Sequence, residues 1–317
     1  MRFTIEHRPE NGWNQVILTD TATGTQATII PASGAILNAF SIIHNGKALQ
    51  VVDGFSSAAD FRERIEKGFQ SAKLSPFVCR IKDAQYSWEG KAYTLHKFSL
   101  NGAAIHGLIY DAPFEVMEEV IHKDYAEVEL KYMYPGTDPG YPFPYDCYIR
   151  YRLEENNTLL VVTAIHNRGK ETIPVADGWH PYFTFGGNIQ NLQLQVRSSA
   201  MLEYDEALIP TGKTIPTQTW IEPTTIGTTQ QDHGYVLDVD QPQPLCRLSD
   251  PDSGIAIEFH PDRSYPYLQL YTPPHRNSIA IENLSAAPDA FNNGMGLISL
   301  EPDHTKTFST RYKITKA

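Results

Sequence analysis

The feature that most constrains this chain is a period-two alternation of apolar and polar residues that recurs along most of its length. It appears in the segments "YAEVELKYMY", "CYIRYRLEENNTLLVVTAI", "LQLQVRS", "GIAIEFH" and "YLQLYT". Successive side chains of a strand point to opposite faces, so the alternation predicts β-strands with one buried and one polar face. Clusters of Gly, Asn and Asp, such as "EENN" and "DPDSG", separate these runs. Strands joined by such short turns are mostly antiparallel.

One segment has a different period. In "SSAADFRERIEKGF", residues 56–69, the apolar residues Phe61, Ile65 and Phe69 fall four apart, and a serine at the start can cap a helix. The segment therefore predicts one short helix, inserted on a β scaffold.

No long linker, low-complexity tract or internal repeat divides the chain. The Pro- and Thr-rich region 209–229 is the best candidate for a long loop. We therefore expect an all-β, largely antiparallel fold that forms a single domain over residues 1–317, since large β-sandwiches often exceed the usual domain size.

The charge balance limits the possible partners. The 317 residues include 26 Lys and Arg against 37 Asp and Glu, a formal net charge of -11. Nucleic acids and anionic membranes bind clustered Lys and Arg, which this chain lacks, so we expect neither as a partner. The N-terminal residues lack the apolar core of a signal peptide, and no run is apolar enough for a membrane helix. We expect a cytoplasmic monomer or homodimer that binds a small molecule.

The cysteines and the ligand-type residues do not indicate a metal site. Cys79, Cys147 and Cys246 are far apart and odd in number, without a CxxC pair. This pattern predicts reduced, structural thiols. The histidines and acids show no zinc-ligand spacing either, so no metal is expected.

The first group of candidate functional residues lies around "NGAAIHG". This segment places Asn101 and His106 near turns, with glycines on both sides of the histidine, and Arg80 ends the preceding "SPFVCR". Glycine gives the backbone unusual freedom at such positions. In isolation the motif is weak, and a turn with an exposed histidine explains it better.

The second candidate is the stretch "DGWHPYFTFGG". Its single histidine, His180, is surrounded by Trp179, Tyr182 and Phe183. Two interpretations remain open from these residues alone. His180 is either a core histidine with aromatic neighbours or a proton-handling group beside an aromatic wall built for a ligand.

Three further polar residues lie in predicted strands or loops. Glu282 ends the apolar run "SIAI" where alternation assigns it to a buried face. A buried carboxylate needs a partner or a raised pKa, so Glu282 is the most unusual acid of the chain. Asp232 belongs to "QDHGY", where an Asp-His pair commonly forms a solvated turn. Gln269, in "LQLYT", either faces a ligand or merely continues its strand.

Together these residues combine general acids and bases with groups that hold hydroxyls through charge-assisted hydrogen bonds. Aromatic side chains nearby offer flat apolar faces. A sugar needs both, because its ring stacks on aromatic faces and its hydroxyls require fixed polar partners.

Read in order, the motifs resemble those of the aldose 1-epimerases, also called galactose mutarotases, in particular a divergent bacterial branch. The resemblance rests on "SPFVCRI", "NGAAIHG", "GWHPYFTF", "EYDEALIPTGK", "QDHGYVL", "QLYTPP", "IENLSAAPDAFNNG" and "GLISLEPDHTKTFSTRYKI". It covers roughly residues 25–315. The ordered agreement of many weak motifs is far more specific than any one of them.

The resemblance implies a β-supersandwich, a concave sheet surface that holds the sugar, and no cofactor. Glu282 then takes the proton from the anomeric hydroxyl and His180 protonates the ring oxygen. His106 and Arg80 bind sugar oxygens near the reacting centre, and Asp232 binds a ring hydroxyl. The expected reaction is the interconversion of α and β anomers of a free aldose.

The sequence also departs from the family pattern. Trp179 stands where an asparagine commonly precedes the histidine, and only the final arginine of the "GRxxNRI" strand remains, as Arg80. Trp179 is therefore expected to present a stacking face to the sugar and to influence which sugar is preferred.

Two other functional classes share these features. A non-catalytic carbohydrate-binding protein would have the same groove, with Glu282 exposed and remote from His180. A β-sandwich glycoside hydrolase or lyase would need a second carboxyl group about 5 to 9.5 Å from the first. Asp232 is the obvious candidate for that second acid.

Overall fold

A computed structural model describes all 317 residues, and strands dominate it. The first strands in chain order are β1 (Phe3–Glu10), β2 (Trp13–Asp20), β3 (Thr25–Ile30), β4 (Ile36–His44), β5 (Lys47–Gln50), β6 (Ala72–Leu74), β7 (Arg80–Ile81), β8 (Gln85–Trp88), β9 (Lys91–Thr94), β10 (Ser99–Leu100), β11 (Ala103–Ile105), β12 (Glu115–Ile121), β13 (Tyr125–Tyr134), β14 (Tyr145–Glu154) and β15 (Thr158–Asn167). The remaining strands are β16 (Ile173–Val175), β17 (Gly178–His180), β18 (Tyr182–Phe183), β19 (Gln193–Val196), β20 (Ala200–Tyr204), β21 (Pro210–Pro216), β22 (Thr224–Thr225), β23 (Asp232–Val236), β24 (Cys246–Asp250), β25 (Ile255–Pro261), β26 (Tyr267–Tyr271), β27 (Ile279–Leu284), β28 (Ile298–Leu300) and β29 (Thr305–Lys316). The helices are α1 (Ala58–Gly68) and α2 (Ala290–Asn293), and 3-10 turns lie at Lys82–Ala84 and Ile189–Asn191.

The strands form six sheets in which neighbouring strands run antiparallel, as the turn signals predict. The largest sheet has nine strands in the order β12-β13-β14-β15-β29-β25-β24-β19-β22. An eight-stranded sheet has the order β21-β20-β23-β26-β27-β17-β6, with β18 also paired to β27. The others are a five-stranded sheet of β1 to β5, a three-stranded sheet β10-β11-β7, and the pairs β8-β9 and β16-β28. This architecture confirms the prediction of an all-β supersandwich.

The eight-stranded sheet packs one face against the nine-stranded sheet. The ring of Phe183, on β18, lies 4.8 Å from that of Phe259 and 5.6 Å from that of Tyr312, which belong to β25 and β29. On β27, the Asn283 side chain accepts a 3.0 Å hydrogen bond from Thr310 of β29. Burial of each such aromatic side chain stabilises the fold by about 1.5–3 kcal/mol. Because strand side chains alternate, the neighbours of Asn283 point to the opposite face of the sheet.

Helix α1 forms where the sequence predicts it. Ser57 caps the N-terminus by accepting a hydrogen bond from the Asp60 amide, and Phe61 and Ile65 are buried along one face. Phe69 follows the last helical turn with φ 54, in the left-handed region, and its ring lies 4.6 Å from that of His106.

Two local features differ from the sequence prediction. Region 209–229 is not one long loop, because β21 and β22 lie within it. Pro210 and Pro216 sit at the two ends of β21, an edge strand on which missing backbone donors are tolerated. Helix α2 spans a single turn, which is too short to produce a periodic signal.

The three cysteines are free and buried, as the sequence predicts. No helix combines the length and the apolar character that crossing a bilayer requires.

Candidate active site

Glu282 and His180 lie side by side on the face of the eight-stranded sheet that points away from the nine-stranded sheet. His180 ends β17 and Glu282 lies on the adjacent strand β27. Nε2 of His180 is 3.3 Å from Oε1 of Glu282. Only 4% of His180 and 1% of Glu282 is exposed to solvent. The alternation of β27 thus places a carboxyl group where the sequence predicts a buried acid, directly beside an imidazole.

Burial shifts the pKa values of this pair in opposite directions. It raises the pKa of Glu282 well above its usual value, an effect that the Asp232 charge increases and the Arg80 guanidinium opposes. It lowers the pKa of His180 to about 4. Burial also holds the pKa of His106 well below its usual value, assisted by the charges of His180 and Arg80. Each shift favours the uncharged form, so Glu282 and His180 share a single proton over a range of pH that begins near 4.

His106 approaches the pair from a separate loop. Its ring lies edge-on to that of His180 with centroids 4.7 Å apart, and 4.6 Å from the ring of Phe69. His106 has φ 61 and the following Gly107 has φ 79. A Cβ on Gly107 would lie 2.4 Å from the carbonyl oxygen of Ser75, so the loop can fold this close to the sheet only with glycine there. The glycine beside the histidine in "NGAAIHG" therefore has a steric reason.

A polar network fixes Asp232 at the far side of the cluster. Tyr204 Oη donates to Gln269 Oε1 at 3.2 Å, and Gln269 Nε2 donates to Asp232 Oδ1 at 2.8 Å. The tyrosine contact thus orients the amide so that its NH₂ group faces the carboxylate. Arg80 Nη2 lies 4.0 Å from Asp232 Oδ2, and Gln269 pairs directly with Glu282 across the β26–β27 ladder. One carboxylate oxygen of Asp232 remains available to a ligand beside the arginine.

These groups line one cavity of about 460 Å³. Its apolar walls include Phe69 and the rings of Tyr182 and Tyr271, and the ring of Tyr182 stacks on His180 at 5.2 Å. A volume of this size accommodates a small ligand, and the mixture of aromatic faces with a few fixed polar groups is typical of sugar sites.

The structure brings most of the predicted site residues together. Those that line the cavity are Arg80, His106, His180, Tyr182, Asp232, Gln269 and Glu282. The core-histidine interpretation of "DGWHPYFTFGG" does not hold, because His180 lines this cavity although it is buried.

Trp179 does not line the cavity, contrary to our expectation. It precedes His180 on β17, so strand alternation turns its indole to the opposite face. There its ring lies 5.9 Å from that of Tyr151 in the main core, and Nζ of Lys73 lies over the indole, 4.5 Å from the ring centroid. Phe183, which we also considered for the aromatic wall, lies in the same core. Trp179 therefore has no face to offer a sugar.

A buried ion pair lies beside β17, on the side of the strand that faces the main core. Lys73 Nζ lies 2.5 Å from Asp177 Oδ2 and donates to the Gly178 carbonyl at 2.9 Å, and both charged side chains are fully buried. Tyr265 donates to the other Asp177 oxygen at 2.6 Å. These contacts join the start of β17 to β6 and so hold the strand that carries His180.

Asn101 also lies outside the cavity. It lines an adjacent groove of about 220 Å³, which shares Arg80 and Leu100 with the cavity. Its predicted role as a direct partner of the sugar held in the cavity is not supported by this position.

Sequence reasoning missed several residues. Tyr271 lies two positions after Gln269 on β26, so the period of two could have assigned it to the same face. Phe69 was assigned to the helix stripe, and nothing in the sequence signals its left-handed backbone. Tyr204 reaches Gln269 only through the pairing of strands distant in sequence, which no local pattern reveals.

The same cluster has the residue types of a metal site. His106, His180 and Glu282 each offer one ligand atom, and these atoms lie within 4.8 Å of one another. Two imidazoles and a carboxylate could hold a transition metal, but the arrangement equally suits proton transfer, and the expectation that no metal binds stays a prediction.

Comparison with known proteins gives a consistent result. The sequence profile described as aldose 1-epimerase matches residues 15–313. The aldose 1-epimerase of Streptococcus thermophilus is 25% identical over 317 aligned positions that cover 89% of each chain. The galactose mutarotase of Sus scrofa is 25% identical, covering 72% of this chain and 68% of its own. The crystal structure of a galactose mutarotase-like protein from Clostridium acetobutylicum superposes with a TM-score of 0.86 at 18% identity, covering 100% of this chain and 99% of its own, which shows a shared fold.

Proposed function

Because the chain belongs to the aldose 1-epimerase family and is an isomerase, we propose that it interconverts the α and β anomers of a free aldose. The observation that carries the proposal is the buried Glu282–His180 pair, 3.3 Å apart in the wall of a sugar-sized cavity. A non-catalytic binding protein has no need of such a pair, and burying it has a cost in stability.

In the proposed reaction Glu282 takes the proton from the O1 hydroxyl while His180 delivers a proton to the ring oxygen O5. The C1–O5 bond breaks, O1 becomes a carbonyl oxygen, and the sugar opens to its aldehyde. After rotation about C1–C2, the O5 hydroxyl adds to the other face of C1 and both protons return. Each group contributes about 10²- to 10⁴-fold to such a reaction. No electron is gained or lost, so the chemistry requires only proton transfer.

The protonation states of Glu282 and His180 support these roles. In the empty cavity burial favours the shared proton on Glu282, and between the lowered pKa of His180 and the raised pKa of Glu282 the pair holds one proton. Transfer across 3.3 Å to His180 gives the carboxylate and the imidazolium that start the reaction. Hydroxyl donors of a bound sugar favour this transfer because they stabilise the carboxylate.

The remaining groups would position the sugar. In the proposal His106 and Arg80 bind oxygens near the reacting centre, and Asp232, held by Gln269, accepts from a ring hydroxyl. The apolar face of the sugar ring packs on Tyr182. Such fixed partners increase the rate because they hold C1 and O5 in reach of the acid and the base.

Polarimetry of freshly dissolved α-glucose, α-galactose and further α-aldoses tests the proposal. The optical rotation is expected to relax faster with the protein than with the same amount of heat-denatured protein, which controls for catalysis by buffer. Equal relaxation rates across the panel would contradict it. Release of new reducing ends from a polysaccharide would instead indicate a glycoside hydrolase.

A further inference from the structure

The C-terminal end of helix α1 forms one wall of the cavity. Glu66, Lys67 and Gly68 line the cavity at this point, hereafter the α1 wall. The chain then enters β6, and on the way the Ser71 N–H donates to the His180 carbonyl at 2.9 Å. Because β17 lies between β27 and β6, the α1 wall is on the side of His180 that faces away from β27.

Glu66 is held in place on this wall by a tyrosine. Tyr110 Oη donates to Glu66 Oε1 at 2.6 Å, and Tyr110 itself is fully buried, with its ring 5.2 Å from that of Phe69. Tyr110 belongs to the same loop as His106, so one loop positions both the histidine and the carboxylate. The tyrosine occupies Oε1, and Oε2 of Glu66 remains available to accept a hydrogen bond from a ligand.

The proposed reaction determines which part of the sugar faces the α1 wall. In a pyranose C6 is bonded to C5, C5 to O5 and O5 to C1, which carries O1, so O5 lies between O1 and C6. The sheet presents Glu282 on β27, His180 on β17 and then the α1 wall in the same order. With O1 at Glu282 and O5 at His180, the C6 group extends to Glu66. C2 and C3 then lie toward Asp232, on β23 at the other end of the row.

The charges at the α1 wall favour a neutral hydroxyl at C6 over an anion. A carboxylate oxygen accepts a charge-assisted hydrogen bond from a hydroxyl, whereas it repels a phosphate or a second carboxylate. The C-terminal end of a helix adds a partial negative charge of the same sign. Lys67 also lines the wall, but its ammonium is paired with Glu63 at 3.3 Å, which offsets its charge.

We propose that Glu66 determines substrate specificity by binding the C6 hydroxyl, so that the protein prefers aldohexoses with a free CH₂OH group. Pentoses, 6-deoxy sugars and sugars that are anionic at C6 are then poorer substrates. The inference rests on the proposed function for the positions of O1 and O5. Tyr110 is a positioning residue that acts through Glu66.

The kinetic test compares α-glucose with α-6-deoxyglucose, which differ by one oxygen atom. Polarimetry is expected to give a kcat/KM at least about tenfold higher for glucose, and glucose 6-phosphate and xylose should also fall at least about tenfold below glucose. In Glu66→Ala the ratio of glucose to 6-deoxyglucose should approach one, through a loss on glucose alone. Tyr110→Phe should lower the same ratio, since it releases the carboxylate. A wild-type ratio near one, or an unchanged ratio in Glu66→Ala, would overturn the proposal.

Two further variants separate charge from general effects of substitution. Glu66→Gln keeps a hydrogen-bonding side chain without the charge, so it should raise kcat/KM for glucose 6-phosphate relative to that for glucose. The control Glu10→Ala removes an exposed glutamate at the end of β1, outside the cavity, and should keep every wild-type ratio. A Glu66→Gln variant that discriminates against glucose 6-phosphate as strongly as the wild type would contradict the charge argument.

A binding test separates this proposal from the proposed function. 1,5-Anhydroglucitol and its 6-deoxy derivative lack the anomeric hydroxyl and cannot react, so isothermal titration calorimetry measures their affinities without turnover. The parent compound should bind the wild type at least about tenfold more tightly, and Glu66→Ala should abolish this difference. Equal affinities in the wild type would exclude the C6 contact even if every aldose is a substrate. A difference that depends on Glu66, without mutarotation, would instead retain the contact and remove the proposed reaction.

Discussion

Replacing Glu282 with glutamine should have opposite effects on catalysis and on stability. The amide keeps the size of the side chain but cannot accept the O1 proton. Loss of one general base lowers the rate about 10²- to 10⁴-fold, which corresponds to about 3–5 kcal/mol of transition-state stabilisation. Polarimetry of α-galactose at saturating concentration measures this loss. A Glu282→Gln variant within about tenfold of the wild-type kcat would refute the assignment of Glu282 as the base.

The stability effect follows from the raised pKa of Glu282. A carboxyl group whose pKa is higher in the folded than in the unfolded state favours folding below its unfolded pKa, and that contribution is lost as the pH rises through the folded pKa. Between these two values the wild type loses up to about 1.4 kcal/mol of unfolding free energy per pH unit from this group. Glutamine does not titrate, so the variant should become more stable relative to the wild type as the pH rises.

Urea denaturation at a series of pH values measures this difference. Glu258→Gln is the matched control, because Glu258 also lies beside an imidazole, 3.1 Å from His260, but on β25 of the nine-stranded sheet and outside the cavity. The control should keep wild-type activity. A difference in unfolding free energy between Glu282→Gln and wild type that does not change with pH would mean that the pKa of Glu282 is not raised in the folded protein.

Other perturbations test the rest of the site. The pH dependence of kcat/KM should be bell-shaped. The value should fall near pH 4, where His180 is protonated and the pair carries two protons, and again above the raised pKa of Glu282, where the pair carries none. A profile without the acid limb near pH 4 would contradict the shared proton. Tyr204→Phe removes the donor that orients its glutamine partner and should raise KM about three- to tenfold with a smaller change in kcat, whereas an unchanged KM would show that the network does not position the sugar. Trp179→Phe removes buried volume from the core and should lower the unfolding free energy by about 1–3 kcal/mol without changing the galactose-to-glucose preference; a changed preference would show that the indole contacts the sugar. Gly107→Ala, at φ 79 against the backbone of a neighbouring loop, should destabilise the protein by at least about 2 kcal/mol in thermal unfolding, and wild-type stability would disprove the close approach.

Much of the site was predictable because a period of two assigns each strand residue to a face. The rule places Glu282 opposite Asn283, and the structure agrees. The same rule should have excluded Trp179, since a residue adjacent to His180 in a strand must point to the other face, whereas Tyr182 returns to the cavity. The error came from treating a contiguous aromatic run as one surface.

The order of the strands was not predictable from local patterns. The eight-stranded sheet places β17 between β27 and β6, which joins His180 to segments about a hundred residues away on either side along the chain. His106 depends further on a loop that only a glycine allows. Because these contacts are long-range, the ordered motifs of a family supply what the periodicity of one sequence lacks.

The ion pair behind β17 constrains how this protein can evolve. A change at Lys73 alone or at Asp177 alone would leave one charge in a dry interior, a loss of about 3–5 kcal/mol and so a large part of the roughly 5–15 kcal/mol that stabilises a native protein. A replacement of both by apolar residues of similar volume could be neutral. The two positions should therefore vary together among descendants of this chain. A library that randomises both codons should return the original pair or two uncharged residues, and almost never a single charge.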